Sequence, residues 1–192
     1  MKKTGLIIAV IVGAVFIWGI YTYNDFVKKQ EAMTNAWSQV ENVYQRRADL
    51  GPNLVALVKS YTEYEQSTIL AVTEARARAA SVTVDTDKFD ELEFASYESA
   101  QKDLGNSINR LLVTVENYPN LKASDNYLTL QAQLAGCENR ILTERERFNE
   151  VTLDYNQSVL KFPNNLVAKL CSFEKRPYFE AAEGASKVPE TF

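Results

Sequence analysis

From Gly5 to Tyr21 the chain reads GLIIAVIVGAVFIWGIY, seventeen residues apolar on every helical face and preceded by Lys2 and Lys3. That length is at the lower limit for a helix crossing a bilayer core of roughly 30 Å. A cleaved signal peptide would have a shorter apolar run and a small-x-small cleavage site, whereas this run ends in Trp18, Tyr21 and Tyr23. Those aromatics suit a membrane–water boundary. The pattern predicts an uncleaved membrane anchor over residues 1–23. Beyond it Phe26, Met33, Trp37, Val40 and Tyr44 recur at intervals of seven, four, three and four, with no Gly or Pro between Tyr21 and Leu50. That is the period of a helix with a narrow apolar seam. An anchor running on into this seam would form one helix of about 45 residues, roughly 65 Å long at 1.5 Å per residue.

Asp49-Leu50-Gly51-Pro52-Asn53 reads as a stop and restart, since Gly commonly follows a helix and Pro opens the next. The pattern therefore predicts a tight reversal here, then a second helix from Leu54 to about Ala80 along Leu54, Val58, Tyr61 and Val72. The segment SVTVDTDKFDELE from Ser81 breaks the period and carries five carboxylates, so it reads as a solvated connection. A calcium loop built on Asp85, Asp87 and Asp90 would need a different spacing and a central Gly. A third helix follows Tyr97, Leu104, Ile108, Leu111, Val115 and Tyr118, ending at Pro119. The fourth carries Tyr127, Leu130, Leu134, Cys137, Ile141, Phe148, Tyr155 and Val159 on one stripe and stops before Pro163. Leu166, Val167, Leu170, Phe173, Tyr178 and Phe179 suggest a short helix capping the bundle. The expected fold is all-α: an elongated antiparallel bundle of about four helices over residues 24–180, its first helix continuous with the anchor, followed by a loose tail over residues 181–192.

Composition narrows the function classes. The formal net charge is −4 and the pI near 5.1, so no positive field draws phosphate backbones and no nucleic-acid partner is expected. Histidine is absent from the 192 residues, which removes the usual proton shuttle and the commonest nitrogen ligand. A di-metal bundle site built from Glu-x-x-His pairs is thereby excluded. Neither a phosphate-binding glycine loop nor a nucleophile elbow occurs, and no cofactor or metal is expected. Cys137 and Cys171 are read as two buried small apolar side chains, a disulfide being the alternative. Among the charged clusters, Arg46, Arg47 and Asp49, with Asn53, stand at the predicted turn. There they would pair with helix carbonyls and a carboxylate, or hold an anionic partner.

Several strings together resemble the LemA family of bacterial membrane proteins: Tyr23-Asn24-Asp25-Phe26-Val27, Ala36-Trp37, Arg46 to Val55, Ala75-Arg76-Ala77, Glu116 to Ala123, Tyr155-Asn156, and Phe162 to Ala168. Gly51 and Tyr64 depart from the family's pattern, with a larger apolar residue and a histidine common there. The resemblance implies one N-terminal anchor followed by long antiparallel helices, and supplies no catalytic set. The expected role is therefore a non-enzymatic, membrane-anchored scaffold. It would act at the bacterial inner membrane through homo-oligomerisation or binding to another membrane protein, with the lipid bilayer as its first partner. A regulatory module signalling through the continuous anchor helix is the alternative. Lys2 and Lys3 slightly favour the short N-terminus in the cytoplasm and the domain outside.

Overall fold

The computed structural model describes residues 2–62 and 64–180; the expected loose tail, 181–192, lies outside them. The described residues are helical apart from short connections and an extended C-terminal segment. The helices are α1 (Lys2–Lys59), α2 (Gln66–Ser81), α3 (Glu91–Thr114), α4 (Pro119–Lys122), α5 (Asp125–Leu160) and α6 (Asn164–Leu170), with a 3-10 turn at Val115–Asn117 before α4. α1 has 58 residues, about 87 Å at the standard rise. Its N-terminal stretch is long and apolar enough to cross a membrane.

The expected reversal at Asp49–Asn53 does not occur. α1 continues through Pro52 and the chain turns only after Lys59, so Leu54 and Val58 extend the seam of α1 and stay fully buried. Tyr61, expected on that face, is in the turn and half-exposed. Proline inside a helix orphans the carbonyl four residues back. Here that carbonyl belongs to Ala48, and the guanidinium of Arg76 on α2 donates Nε–H to it at 3.0 Å. A side chain 28 positions away thus supplies the hydrogen bond that Pro52 cannot. Gly51 faces α2, where a Cβ would meet Val72 in ordinary contact.

α5 runs antiparallel to α1. Lys29 pairs with Asp154 at 3.0 Å and Ser158 donates to Asp25 at 2.9 Å, so four residues along one helix match four along the other. α2 descends beside α1, with Arg76 at the level of Ala48. α3 climbs again, setting Phe94 and Tyr97 beside Trp37 and Gln101 beside Arg47. The half of the bundle far from the apolar run therefore has four long helices, and the near half has α1 and α5 closed by α6 and the C-terminal segment.

The two halves meet at Trp37, which is fully buried. Its ring lies 5.1–5.9 Å from those of Phe89, Phe94, Tyr97, Phe148 and Phe179. Phe89 comes from the segment expected to be a solvated connection, and Val84 there is also buried. The acidic residues of that loop are spent on its own backbone: Asp85 accepts from Asp87 N–H at 3.0 Å, and Asp90 caps α3 by accepting from Leu92 and Glu93 N–H. Phe89 itself has φ of 47°, a left-handed conformation uncommon for a bulky residue and held by burial of its ring.

Phe179 reaches the same cluster from the end of the described chain. Asn149 clamps the Phe179 main chain with two 2.9 Å bonds, and Asn156 does the same to Arg176 at 2.8 and 2.9 Å. Seven residues of helix and three of extended chain both span about 10 Å, so two asparagines seven apart match this strap. The expected capping helix is thus shorter than the apolar group suggested. Val167, Phe173 and Phe179 pack inward, whereas Leu166 and Leu170 are exposed.

The Pro52 arrangement predicts a coupling. Arg76→Ala should cost about 1 kcal/mol in chemical denaturation of the full chain, as expected for a charge-assisted bond at a half-exposed site. In a Pro52→Ala background, where Ala48 regains a helix N–H, the cost should shrink by about half. Equal costs in both backgrounds would show that Arg76 does not replace the missing bond.

Candidate functional site

Arg46, Arg47, Asp49 and Asn53 do not form one site. With α1 continuous, Arg46, Asp49 and Asn53 fall within about 60° on one exposed face of the helix, and Arg47 points away from them. Arg46 and Asn53 are exposed, while Asp49 accepts from Gln45 Nε2 at 2.8 Å and lies 4.0 Å from Arg76. Arg47 is buried and turned inward between α3 and α5. Its Nη1 meets Glu138 at 3.1 Å, and its Nη2 donates to the Gln101 carbonyl at 2.5 Å and to Gln101 Oε1 at 3.1 Å. Its guanidinium lies 5.1 Å from the centre of the Tyr44 ring. A buried guanidinium is tolerable only when paired and bonded in this way. Gly105 makes the space, for a Cβ there would stand 2.9 Å from Arg47 Nη1. Gln101, Gly105 and Glu138 were not singled out by their pattern, though a glycine within a helical stretch is a signal of close approach.

The electrostatics around this network favour neutral or paired groups. Burial pushes the Cys137 thiol above its ordinary range, with Glu138 adding to the effect, and its Sγ donates to the Val43 carbonyl at 3.3 Å. Cys137 is therefore an unreactive core thiol. Cys171, expected to be buried, is exposed, and both cysteines are free. Burial raises Glu41 above 4.5. It also raises Glu98, against the opposing pull of Arg145, whose Nη2 lies 2.6 Å away. Two open polar grooves lie on the surface. One of about 470 Å3 is lined by residues including Asp87, Glu91, Lys175 and Arg176. Another of about 670 Å3, at the tip where α1 turns into α2, includes Lys59, Tyr61, Tyr64 and Tyr118. Both are shallow and lack convergent reactive groups among the described residues.

The boundary aromatics Trp18, Tyr21 and Tyr23 lie on α1 where the apolar run gives way to the first buried residues, Thr22 and Phe26. Tyr21 is exposed, Tyr23 is half-exposed, and Tyr23 packs edge-on against Phe173 at 5.6 Å.

α5 carries a second apolar stripe outside its packed seam. Each residue advances about 100° around a helix, so Leu128, Leu142 and Leu153 fall within about 40° of one another, roughly a third of a turn from the seam. They are 49%, 59% and 48% exposed, large values for leucines aligned along a folded helix. Exposed Asn139, Glu146 and Gln157 stand on the same side of the helix between and beyond these leucines.

Comparison with known proteins identifies relatives of the chain. The sequence profile of the LemA family matches residues 36–192. Magnetosome proteins MamQ 1 and MamQ 2 of Paramagnetospirillum magneticum are each 27% identical over 175 residues, covering 82% of this chain and 64% of their own length. Protein LemA of Metamycoplasma hominis is 24% identical over 160 residues, 83% of this chain and 69% of its own length. The chain thus spans less than two thirds of the magnetosome relatives it matches.

Two outcomes test the buried network. Gly105→Ala should destabilise the wild type despite the roughly 1 kcal/mol by which Ala exceeds Gly in helix propensity, because the methyl displaces Arg47 from Glu138. In an Arg47→Met background the sign should reverse; destabilisation in both backgrounds would refute the displacement. The raised Glu41 pKa means that the folded state binds this proton more tightly than the unfolded one. Its penalty is absent below about pH 4.5 and grows as pH rises through the folded pKa. Glu41→Gln should accordingly stabilise the protein at pH 7, with the gain vanishing below pH 4.5 in denaturant titrations; a pH-independent gain would rule out ionisation as its source.

Proposed function

The chain belongs to the LemA family, and from that premise we propose that it is a non-enzymatic, membrane-anchored interaction protein that packs its helical bundle against further copies of itself. The aligned leucines of α5 carry this reading. Copies anchored in one membrane share an orientation, so their α5 helices would run parallel and bring like leucines together, and an isologous face of this kind builds dimers directly. Leu128 and Leu153 are 25 residues apart, about 37 Å of helix, which is length enough for a coiled-coil-like seam. Another membrane protein presenting an apolar helix could occupy the same face. The anchor supports the reading because it confines the bundle to two dimensions and raises its effective concentration. Lys2 and Lys3 favour a span in the cytoplasmic membrane with the bundle outside the cytoplasm.

A membrane-impermeant amine cross-linker tests side and association together. Applied to spheroplasts, it should yield multiples of 21.7 kDa, and Leu142→Glu with Leu153→Glu should abolish them while helicity is retained. Multiples obtained only from inverted vesicles would reverse the orientation. A strict monomer in both preparations, with no co-purifying partner, would sink the interaction reading.

A further inference from the structure

The end of the bundle nearest the apolar run exposes its own apolar side chains. Because Asp154 pairs with Lys29 and Ser158 with Asp25, the register sets Leu160, the last residue of α5, level with Tyr23. That is about 3 Å along the axis from Tyr21, where the apolar run ends. The chain then turns through Phe162 and Pro163 into α6. Ala168 of α6 is buried with Phe26, Tyr155 and Val159, and Phe173, just past α6, packs on Tyr23 at 5.6 Å and Phe26 at 5.1 Å. α6 therefore lies across the base of the bundle at the level where α1 leaves the apolar run.

α6 buries one face and leaves the other apolar. Leu166 and Leu170 each stand two residues from Ala168, about 200° around the helix, and so share the face opposite the buried one. They are 57% and 86% exposed, and the neighbouring Leu160 and Phe162 are 59% and 75% exposed. From Leu6 to Ile17 the large apolar residues of the run are 57–69% exposed. The base thus offers solvent the same kind of surface as the segment suited to lipid. Lys161 and Lys169 lie between these residues in the chain, and Lys28 is level with Tyr155, about 7.5 Å along the axis from Leu160; all three are exposed.

We propose that this base is a second membrane contact: Leu160, Phe162, Leu166 and Leu170 enter the boundary between headgroups and acyl chains, and Lys28, Lys161 and Lys169 meet anionic lipid phosphates. The occupant follows from continuity, because a bilayer around the apolar run of α1 ends within a helical turn of these side chains. It also follows from charge, because lysines flanking exposed leucine and phenylalanine are the composition of an interfacial helix on an anionic membrane. The anchor holds the base at the surface, so even a weak contact is populated. The effect would be to fix the tilt of the bundle, which a span alone leaves free. This inference rests on reading the apolar run as a membrane span.

Nitroxide labels on the full chain distinguish the two. In a Cys171→Ser background, single labels at Leu166→Cys and Leu170→Cys are compared with Val12→Cys in the run and Val113→Cys near the far end of α3, in vesicles of phosphatidylcholine with phosphatidylglycerol. Collision with oxygen reports lipid, and collision with a water-soluble nickel chelate reports solvent. The labels at 166 and 170 should resemble the one at 12 and differ from the one at 113. Omitting phosphatidylglycerol should shift them towards solvent without moving the label at 12. Labels at 166 and 170 in water, with 12 in lipid, would overturn the second contact and leave the span standing. A label at 12 in water would overturn the span itself. Labels at 166 and 170 shielded from both reagents would mean that protein covers the base, and would also overturn the proposal. Indifference to phosphatidylglycerol would overturn the role of the lysines.

Discussion

Trp37 is where the two halves of this molecule are joined. Its buried ring collects aromatic side chains from the α2–α3 loop, from α3, from α5 and from the C-terminal strap. α3 and α5 are also held by helix packing, and the strap by Asn149 and Asn156. The loop residue Phe89 is held in a left-handed conformation by burial of its ring and by its N–H bond to the Asp85 carbonyl at 2.7 Å, and the strap is extended chain with no ladder of its own. Aromatic burial supplies a large apolar area and a preference for edge or tilted ring contacts, so one indole can orient four separate pieces of chain. Above Trp37 the bundle has four long helices; below it, two helices, a short helix and a strap close the core.

The polar groups that look most like chemistry are occupied in holding this arrangement. Arg47 is paired with Glu138 and Gln101 in the core, Arg76 completes the backbone of α1 at Pro52, and Asn149 and Asn156 act as amide clamps on the strap. Arg76 supplies a hydrogen bond that the helix lacks at Pro52, and the asparagines satisfy main chain that belongs to no helix, because a buried unpaired donor or acceptor costs more than a made bond returns. Apolar surface stays open among the described residues at the exposed leucines of α5 and at the base around α6.

α1 connects these surfaces mechanically. Since one helix runs from the apolar segment to the far tip, a rotation or tilt imposed at either end is carried along the rod. The leucine stripe and the base meet near Leu160, so association between copies and seating on lipid would share an edge.

Much of the architecture was legible in the residues. The seams from Phe26 to Tyr44, from Tyr97 to Tyr118 and from Tyr127 to Val159 were each read from periodicity, and their residues are buried as expected except Tyr118, which is partly exposed beyond the end of α3. Periodicity records which face of a helix meets apolar neighbours, a local property repeated every few residues. The failures came where the deciding partner is distant. Gly51-Pro52-Asn53 carries the marks of a helix end, yet α1 passes through because Arg76 lies against the stranded carbonyl. The acidic loop looked solvated, yet Phe89 finds Trp37 on another segment, and Phe179 reaches Trp37 from an extended strap where a short capping helix was expected. Arg47 was placed at a turn, and its burial depends on the space left by Gly105. The sequence by itself determined the apolar run, the helical seams and the absence of histidine chemistry. Only the tertiary structure decided where the chain reverses, which polar groups are consumed inside and which apolar faces stay open, because each depends on atoms far apart in the chain being brought within bonding distance.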